Sequence, residues 1–279
     1  MKKIFFALFL SFFFSFLFSE EIVLKGVFKQ GGFITANLPR DIVKVYFNDK
    51  DVNITNHFIF VGFSRDQENV NDIIFVDEND KKINWNISVE KINYNIQRIN
   101  KIAKKYVEKP KNIKLEKRIN KESANLYNVR HKIIYKNRHR FFKDFNIPLI
   151  GRISGVFGSQ RVINGKKMHY HNGVDIVGHK GTPINGCASG IVVLTGDYFY
   201  NGKFVLIDHG MGVSSIYIHL SKIDVLCGQF VEKGEKIGEV GDTGRAKGAH
   251  LHWGVYWKNI PLNPLDIAKS MFDEQVVKY

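Results

Sequence analysis

Two histidines one residue apart are the residues of this sequence most suited to chemistry. The stretch GAHLHWGV, residues 248–255, places His250 and His252 in a segment that otherwise has the composition of a buried strand. Residues two apart on a strand point to the same face, so we expect both rings to lie in one groove. Burying imidazole without a polar partner is costly. The pair therefore favours a shared site over two unrelated core side chains, which would need two buried acceptors.

A second stretch offers a carboxylate and a further imidazole. HNGVDI, residues 171–176, carries His171 and Asp175 four residues apart, and that spacing returns to the same face in a strand or in a helix. Gly173 between them lets the backbone bend. A catalytic zinc commonly has three protein ligands and an open fourth position. This histidine and aspartate, with one histidine of HLH, would supply two nitrogens and one oxygen, a set suited to zinc.

The other histidines are less informative one by one. Seven of the ten histidines lie between His169 and His252, and this clustering indicates metal binding or acid–base chemistry. His179 in GHKGT and His209 in DHG are expected to be surface or loop-anchoring residues. The sequence contains no HExxH motif, which excludes a glutamate base on a helix of that kind.

Three regions of different composition would position these residues. Residues 20–87 contain short β-branched and aromatic runs separated by turn residues, which predicts a small N-terminal β domain, either an antiparallel sandwich or a barrel. Residues 146–270 are rich in glycine and in short strands, which predicts a C-terminal domain built on an antiparallel β-sheet. Residues 271–279 are predicted to be a C-terminal tail. The predicted fold class is therefore mostly β, with a helical connector between the two β domains.

Residues 88–145 are predicted to be that basic, largely helical connector. Apolar residues recur every three or four positions in two patterns, and Pro110 between them ends or breaks a helix. The first pattern comprises Ile92, Ile96, Ile99, Ile102 and Tyr106, and the second comprises Leu115, Ile119, Leu126, Val129 and Ile133. The segment 98–143 contains sixteen Lys or Arg and three Glu, so it holds most of the net charge of +14. We interpret it as a solvated helical surface, with contact to an anionic envelope polymer as the alternative.

The N-terminus has the layout of a secretory signal. Two lysines precede an apolar run from Ile4 to Phe18, which is followed by Ser19 and two glutamates. We expect residues 1–19 to be a signal peptide, with release after Ser19 favoured over a retained anchor. No stable transmembrane span is then expected, because the apolar run is short for one. An exported protein meets little nucleic acid, so nucleic acid is not expected as a partner. Cys187 and Cys227 are too few for a disulfide framework, and the sequence leaves their pairing open.

Three separated stretches carry a family resemblance. In this order, HNGVDI, YIHL and HLHW resemble the M23 zinc metallopeptidases, the LytM and lysostaphin-like peptidoglycan endopeptidases. Surrounding residues agree, among them SGVFGSQR and GDTGRAKGAHLHWGVY, and the resemblance covers about residues 148–268. It implies a LytM-type catalytic domain with one zinc ion per chain.

The resemblance implies roles for five residues. The zinc ligands would be His171, Asp175 and His252. Beside them, His219 of YIHL and the unligated His250 would be catalytic, one as base and one as stabiliser of the oxyanion, in an order that the sequence leaves open. His169 is an alternative ligand because HYH also has same-face spacing, but the family pattern favours its neighbour two residues later.

The resemblance also implies the function. The protein would be an exported zinc metalloendopeptidase of the periplasm or cell envelope that cleaves peptide crosslinks between peptidoglycan stem peptides through a zinc-activated water. The bond would be D-Ala–meso-diaminopimelate, cut by D,D-endopeptidase activity, with carboxypeptidase activity as a second expectation. The alternative is a catalytically inactive LytM-like envelope adaptor that activates a cell-wall amidase. A further hypothesis is that part of residues 22–140 restricts access to the zinc.

Overall fold

The computed structural model describes residues 21–100, 112–132, 145–268 and 273–278. The predicted signal peptide lies outside these residues, as do Ile102, Tyr106 and Pro110 of the first helical pattern and Ile133 of the second. Within the described residues the chain forms 21 strands and two helices. The mostly β fold class predicted from the sequence is confirmed.

The N-terminal part consists of seven strands before residue 89. In chain order they are β1 (Glu21–Val27), β2 (Phe33–Asn37), β3 (Ile42–Phe47), β4 (Lys50–Val52), β5 (Phe58–Gly62), β6 (Val70–Asp77) and β7 (Lys82–Ser88). One antiparallel sheet contains β1, β2 and β5, and a second has the order β4-β3-β6-β7. Their β-branched and aromatic residues alternate between the core and the outside, as strands with one buried face do. The two sheets share one apolar core, which also includes residues of the C-terminal part.

The helix predicted from the first isoleucine pattern is wrong where the structure describes it. Residues 91–95 are irregular, and Ile96–Ile99 form strand β8. This strand pairs in parallel with Gln160–Ile163 of the C-terminal part. Isoleucine suits a strand because it is β-branched, and a partner distant in sequence supplies the backbone hydrogen bonds. Spacing of three to four residues alone did not reveal that partner.

The helix predicted from the second pattern is confirmed. Helix α1 spans Ile113–His131, and the side chain of Asn112 caps it by accepting a hydrogen bond from the backbone N–H of Leu115. Leu126 is buried in a cluster with residues of the C-terminal sheet. The guanidinium of Arg130 lies over the ring of Tyr256, 4.3 Å from its centroid. This half of the connector is therefore docked on the C-terminal domain.

The C-terminal part is built on one large sheet. Its elements are β9 (Ile153–Gly155), β10 (Gln160–Ile163), β11 (Lys166–Lys167), β12 (Val174–Val177), β13 (Pro183–Asn185), β14 (Gly190–Tyr198), β15 (Gly202–Gly210), β16 (Val213–Ile223), β17 (Phe230–Val231), β18 (Lys236–Val240), β19 (His250–Trp257), β20 (Ile260–Leu262), α2 (Pro264–Ile267) and β21 (Asp273–Lys278). Ten of these strands form a sheet whose main order is β17-β14-β15-β16-β19-β12-β9. The pairs along that order are antiparallel, as predicted. A separate three-stranded sheet has the order β11-β10-β8.

The segment predicted to be a C-terminal tail is a strand of the N-terminal sheet over residues 273–278. Strand β21 pairs with β1 in antiparallel register from Glu21↔Lys278 to Gly26↔Asp273, so that sheet has the order β21-β1-β2-β5. Val277 is fully buried in its core. The prediction of a tail is therefore wrong there, because the pairing partner lies at the opposite end of the chain.

The N-terminal and C-terminal parts pack directly on each other and share a continuous apolar core. The rings of Phe60 and Trp257 lie 6.4 Å apart across this contact. A largely buried ion pair joins Lys29 to Asp266 at 3.1 Å. Neither of the two helices in the described residues has the length and hydropathy of a membrane span. Both cysteine thiols are free, Cys187 in the interior and Cys227 exposed.

Candidate metal centre

Two neighbouring strands and one turn bring the three predicted ligands together. Strands β12 and β19 pair so that Asp175 lies directly opposite His252, and their Oδ1 and Nδ1 atoms are 2.9 Å apart. His171 lies in irregular chain just before β12. Its Nε2 atom is 2.9 Å from the same carboxylate oxygen and 2.8 Å from the Nδ1 atom of His252. Three donor atoms from three places in the chain therefore converge on one point.

The chemistry of these atoms fits a bound cation. The ring of His171 donates from Nδ1 to the carbonyl of Val156 at 3.1 Å, so its Nε2 carries a lone pair. That lone pair faces a carboxylate oxygen and a second ring nitrogen. One proton shared by these three atoms can form a hydrogen bond with only one pair of them at a time. A cation between them would satisfy all three. Two imidazole nitrogens and one carboxylate oxygen form a common zinc ligand set, so the residues present fit the metal.

Two glycines leave room for the predicted ligands, because a side chain at either position would overlap neighbouring atoms. A Cβ atom at Gly155 of β9 would lie within van der Waals exclusion distance of the Asp175 carboxylate. A Cβ atom at Gly173 would lie 2.9 Å from the Nε2 atom of His252 and closer still to the carbonyl of Trp253. Any side chain at either position would push a ligand away from the point of convergence.

The other two predicted residues lie beside the ligands. His250 follows the same face of β19 as His252, and its Nε2 atom is 3.8 Å from Oδ1 of Asp175. His219 lies on the adjacent strand β16, with its ring centroid 4.8 Å from that of His250. Each ring donates from Nδ1 to a backbone carbonyl at 2.8 Å, to Gly248 and to Thr243 respectively. Both rings therefore keep Nε2 as a free acceptor.

Burial and hydrogen bonds set the protonation states of the site. Burial by itself raises the pKa of Asp175, but the contact of its carboxylate with the rings of His171 and His252 outweighs burial and holds that pKa well below the usual range. Burial lowers the pKa of His252 and lowers that of His219 to about 4, against the opposing effect of its bond to Thr243. At neutral pH the carboxylate is charged and these two imidazoles are neutral, the forms needed for ligation and for accepting a proton.

Among the other histidines, two lie at the surface and one does not, and one residue that holds the site was missed. His169 is exposed and outside the ligand group, and His179 is also exposed. His209 is fully buried, and its ring donates from Nδ1 to the carbonyl of Ser189. Thr243, whose carbonyl fixes the ring of His219, was not identified, because a backbone acceptor leaves no mark in the residue type.

A turn formed by residues 156–159, here called the ligand turn, was missed for the same reason. It forms hydrogen bonds with three atoms of His171. The carbonyl of Val156 accepts from the ring, the carbonyl of Ser159 accepts from the backbone N–H, and the N–H of Gly158 donates to the backbone carbonyl. His171 thus depends on this turn, whereas the other two ligands lie on paired strands.

The family model of peptidase family M23 matches residues 169–264, which include all five residues of the site. This segment is therefore similar to an M23 peptidase domain, and it is called the M23 domain below. The match begins near the ligand turn and ends at the start of α2, so it coincides with the strands that bear the ligands and the two further histidines.

Curated relatives are similar over this M23 domain. The peptidoglycan DD-endopeptidase ShyA of Vibrio cholerae is 38% identical over 127 residues, which are 45% of this chain and 30% of that protein. The DD-carboxypeptidase/endopeptidase Mpg of Neisseria meningitidis is 38% identical over 126 residues, 44% of this chain and 29% of that protein. The aligned part thus spans about 30% of the length of these relatives.

A solved structure is similar over more of the chain. The crystal structure of a candidate M23 peptidase from Pseudomonas aeruginosa is 27% identical, with a TM-score of 0.67. The likeness covers 88% of this chain and 96% of that one, so it extends over the N-terminal β domain as well as the M23 domain.

Proposed function

We propose that this protein is an exported zinc peptidase that hydrolyses the peptide crosslinks of peptidoglycan. The observation that carries the proposal is the convergence of His171 Nε2, Asp175 Oδ1 and His252 Nδ1 within 2.9 Å of one another. Two further imidazoles with free Nε2 atoms lie beside that point. The names of the relatives, which act as peptidoglycan DD-endopeptidases or DD-carboxypeptidases, support the choice of substrate.

The three ligands would hold one zinc ion per chain. When bound, zinc lowers the pKa of a water molecule towards neutrality and polarises the scissile carbonyl. The chain supplies the remaining functions. Asp175 contributes a negative charge at neutral pH, and the rings of His171 and His252 would each contribute a nitrogen lone pair.

His219 and His250 would move protons and stabilise charge. Each ring is fixed by a backbone carbonyl at Nδ1, so its Nε2 atom is oriented without any change on substrate binding. One ring accepts a proton from the attacking water, and the protonated ring can return it to the leaving amine. The other ring would stabilise the developing oxyanion in its protonated form, in which Nε2 also carries a proton and donates. A pair of imidazoles held by backbone carbonyls would therefore account for both proton transfers of amide hydrolysis.

The bond we propose is D-Ala–meso-diaminopimelate, cut in the periplasm by D,D-endopeptidase activity. Removal of the terminal D-Ala from pentapeptide stems is the proposed second activity, and the name of Mpg, which combines both activities, is consistent with it. The glycines around the site would let an extended peptide with small side chains approach the backbone closely.

The test is digestion of purified crosslinked muropeptides, with products identified by mass spectrometry. We expect the D-Ala–meso-diaminopimelate bond to be cleaved, a chelator to stop the reaction and zinc to restore it. A His169→Ala variant is the matched control, because this histidine is exposed and outside the ligand group. Intact muropeptides with zinc-loaded protein would reject the proposal. If the same protein then activated a cell-wall amidase, the adaptor role would replace it.

A further inference from the structure

Arg65 is a buried cation of the N-terminal domain that reaches the ligand turn. It follows β5, it is 8% exposed, and its Nε atom donates to the carbonyl of Gly158 at 2.8 Å. Its guanidinium lies over the rings of Tyr94 and Tyr170, with 4.6 and 4.9 Å between its carbon and the centroids. Tyr170 directly precedes the ligand His171. One side chain thus contacts both the turn that holds the ligand and the residue before the ligand.

The contact leads to the metal ligand through two consecutive hydrogen bonds. Arg65 fixes the carbonyl of Gly158, and the N–H of Gly158 donates to the carbonyl of His171 at 2.9 Å. The residues on either side of Gly158 are part of the same turn, and Val156 accepts from the imidazole. A displaced turn would therefore move both the backbone and the ring orientation of this ligand.

The fit around Gly158 is too close for the turn to shift inward. Its φ angle is +77°, and a Cβ atom there would overlap the ring of Tyr94. Strand β8 continues the same support, because the N–H of Gln160 donates to the carbonyl of Asn95 at 3.0 Å. The N-terminal domain and the start of the connector therefore both contact the ligand turn and support it on one side.

We propose that Arg65 is a positioning residue that holds His171 for metal binding through the ligand turn. The proposal rests on the proposed function in that the three-residue group binds zinc. An arginine suits this place because its planar guanidinium donates from Nε in a fixed direction while its carbon lies over two aromatic rings, and a lysine ammonium has neither the planar shape nor that fixed donor. Partners that orient metal ligands typically account for about 10- to 100-fold in metal affinity.

The experiment compares zinc affinity in purified wild-type protein and in the Arg65→Lys variant, which keeps the positive charge. Zinc dissociation constants are measured by competition with a chromogenic chelator, and the visible spectrum is recorded after saturation with Co²⁺. We expect zinc affinity to fall by about 10-fold or more and the Co²⁺ spectrum to change, because one ligand is less well oriented.

The matched control is Asn69→Ala. Asn69 also donates from its side chain to a backbone carbonyl of the N-terminal domain, that of Val89 at 2.9 Å. This variant should lose stability without any change in zinc affinity or spectrum. If Arg65→Lys does not fold, Tyr94→Leu tests the same contact, because it removes the ring against Gly158 and leaves the arginine in place.

Wild-type zinc affinity and an unchanged Co²⁺ spectrum in the folded variant would overturn the positioning role. That result is separate from a failure of the proposed activity. A wild-type protein that binds zinc but cleaves no muropeptide, with weaker zinc binding in Arg65→Lys, would reject the activity and leave the role of Arg65 standing.

Discussion

At the scale of single residues, the two histidines of β19 differ in the partner of Nδ1. His252 directs Nδ1 at Asp175, whereas His250 commits Nδ1 to the carbonyl of Gly248 and keeps Nε2 free. Two identical side chains on one strand face thus have different surroundings, which is why we propose separate chemical roles for them. Residue type and spacing alone predict that they share a groove, but not this division.

The division predicts different losses on substitution. His252→Ala should lose both zinc and activity, because it removes one of three ligands. His250→Ala should retain zinc and lose about 10²- to 10⁴-fold in kcat, the range typical of a lost general acid or base. Zinc content measured by mass spectrometry and muropeptide hydrolysis separate the two effects, with His169→Ala as control. Loss of zinc in His250→Ala would contradict the assignment.

A second histidine prediction concerns stability. Burial lowers the pKa of His209 to about 4, whereas an unfolded chain has a histidine pKa of about 6.5. Its contribution to stability is complete above pH 6.5 and is lost as the pH falls towards 4, because the unfolded state binds the proton first. We expect this residue to account for about 2 kcal/mol of lost stability between pH 7 and pH 5.

Urea unfolding of metal-free protein at both pH values tests this linkage. His209→Asn should show a smaller pH-dependent loss than the wild type, even if its stability at pH 7 is lower. His179→Asn, a substitution at an exposed histidine, should keep the wild-type pH dependence. Equal pH dependence in wild type and His209→Asn would show that the buried ring does not remain neutral.

At the scale of elements, local patterns predicted strands and failed where pairing is distant. The short β-branched and aromatic runs of the N-terminal domain predicted strands correctly, because the residues of strands such as β3 and β6 themselves show which face is buried. β8 was predicted as a helix because its isoleucines repeat every three to four residues, and its partner β10 lies about sixty residues later. β21 was predicted to be a tail for the same reason, since its partner is β1.

The candidate site, too, could be predicted from the sequence only in part. The ligand types and their order along the chain are visible in the sequence, and the family resemblance assigns them. The groups that hold these side chains in place cannot be recognised in the sequence. Val156 and Thr243 act through their backbone carbonyls, and Arg65 acts across the contact between the two domains. Contact of the basic 98–143 segment with anionic envelope polymers also stays a prediction.

Strand β21 should be required for the stability of the N-terminal sheet. Removal of residues 273–279 takes away six paired positions and the buried Val277, and should lower the free energy of unfolding by at least about 2 kcal/mol. Lys25→Ala removes only the half-exposed ion pair with Glu274 and should cost less than about 1 kcal/mol. Chemical denaturation of the two variants provides the comparison. A truncated protein as stable as the wild type would mean that the pairing contributes nothing.

At the scale of the whole molecule, the N-terminal domain and the M23 domain are packed against each other. They share an apolar core, and the contact of Phe60 with Trp257 lies within it. The likeness to the Pseudomonas aeruginosa structure covers both parts. The N-terminal domain therefore supports the M23 domain, whether or not it also restricts access to the site.

A fragment of residues 145–279 tests both roles. It lacks β8, Arg65 and the partner of β21, so we expect a lower melting temperature and weaker zinc affinity than in the protein beginning at residue 20. If residues 22–140 restrict access, the fragment should nevertheless cleave muropeptides faster at saturating zinc. Equal or slower cleavage would count against restriction, and an unchanged melting temperature would count against support.

The pairing of β1 with β21 also constrains the order in which the protein can mature. Lys25 and Glu274, which face each other across it, are 249 residues apart. During synthesis from the N-terminus, the first sheet stays one strand short until nearly all residues of the M23 domain have emerged. The sheet that helps to support the candidate metal site is thus completed only after the residues of that site have been synthesised. Contacts between residues so far apart in sequence are slow to form. The complete support of the site should therefore be present only once synthesis of the polypeptide has passed β21.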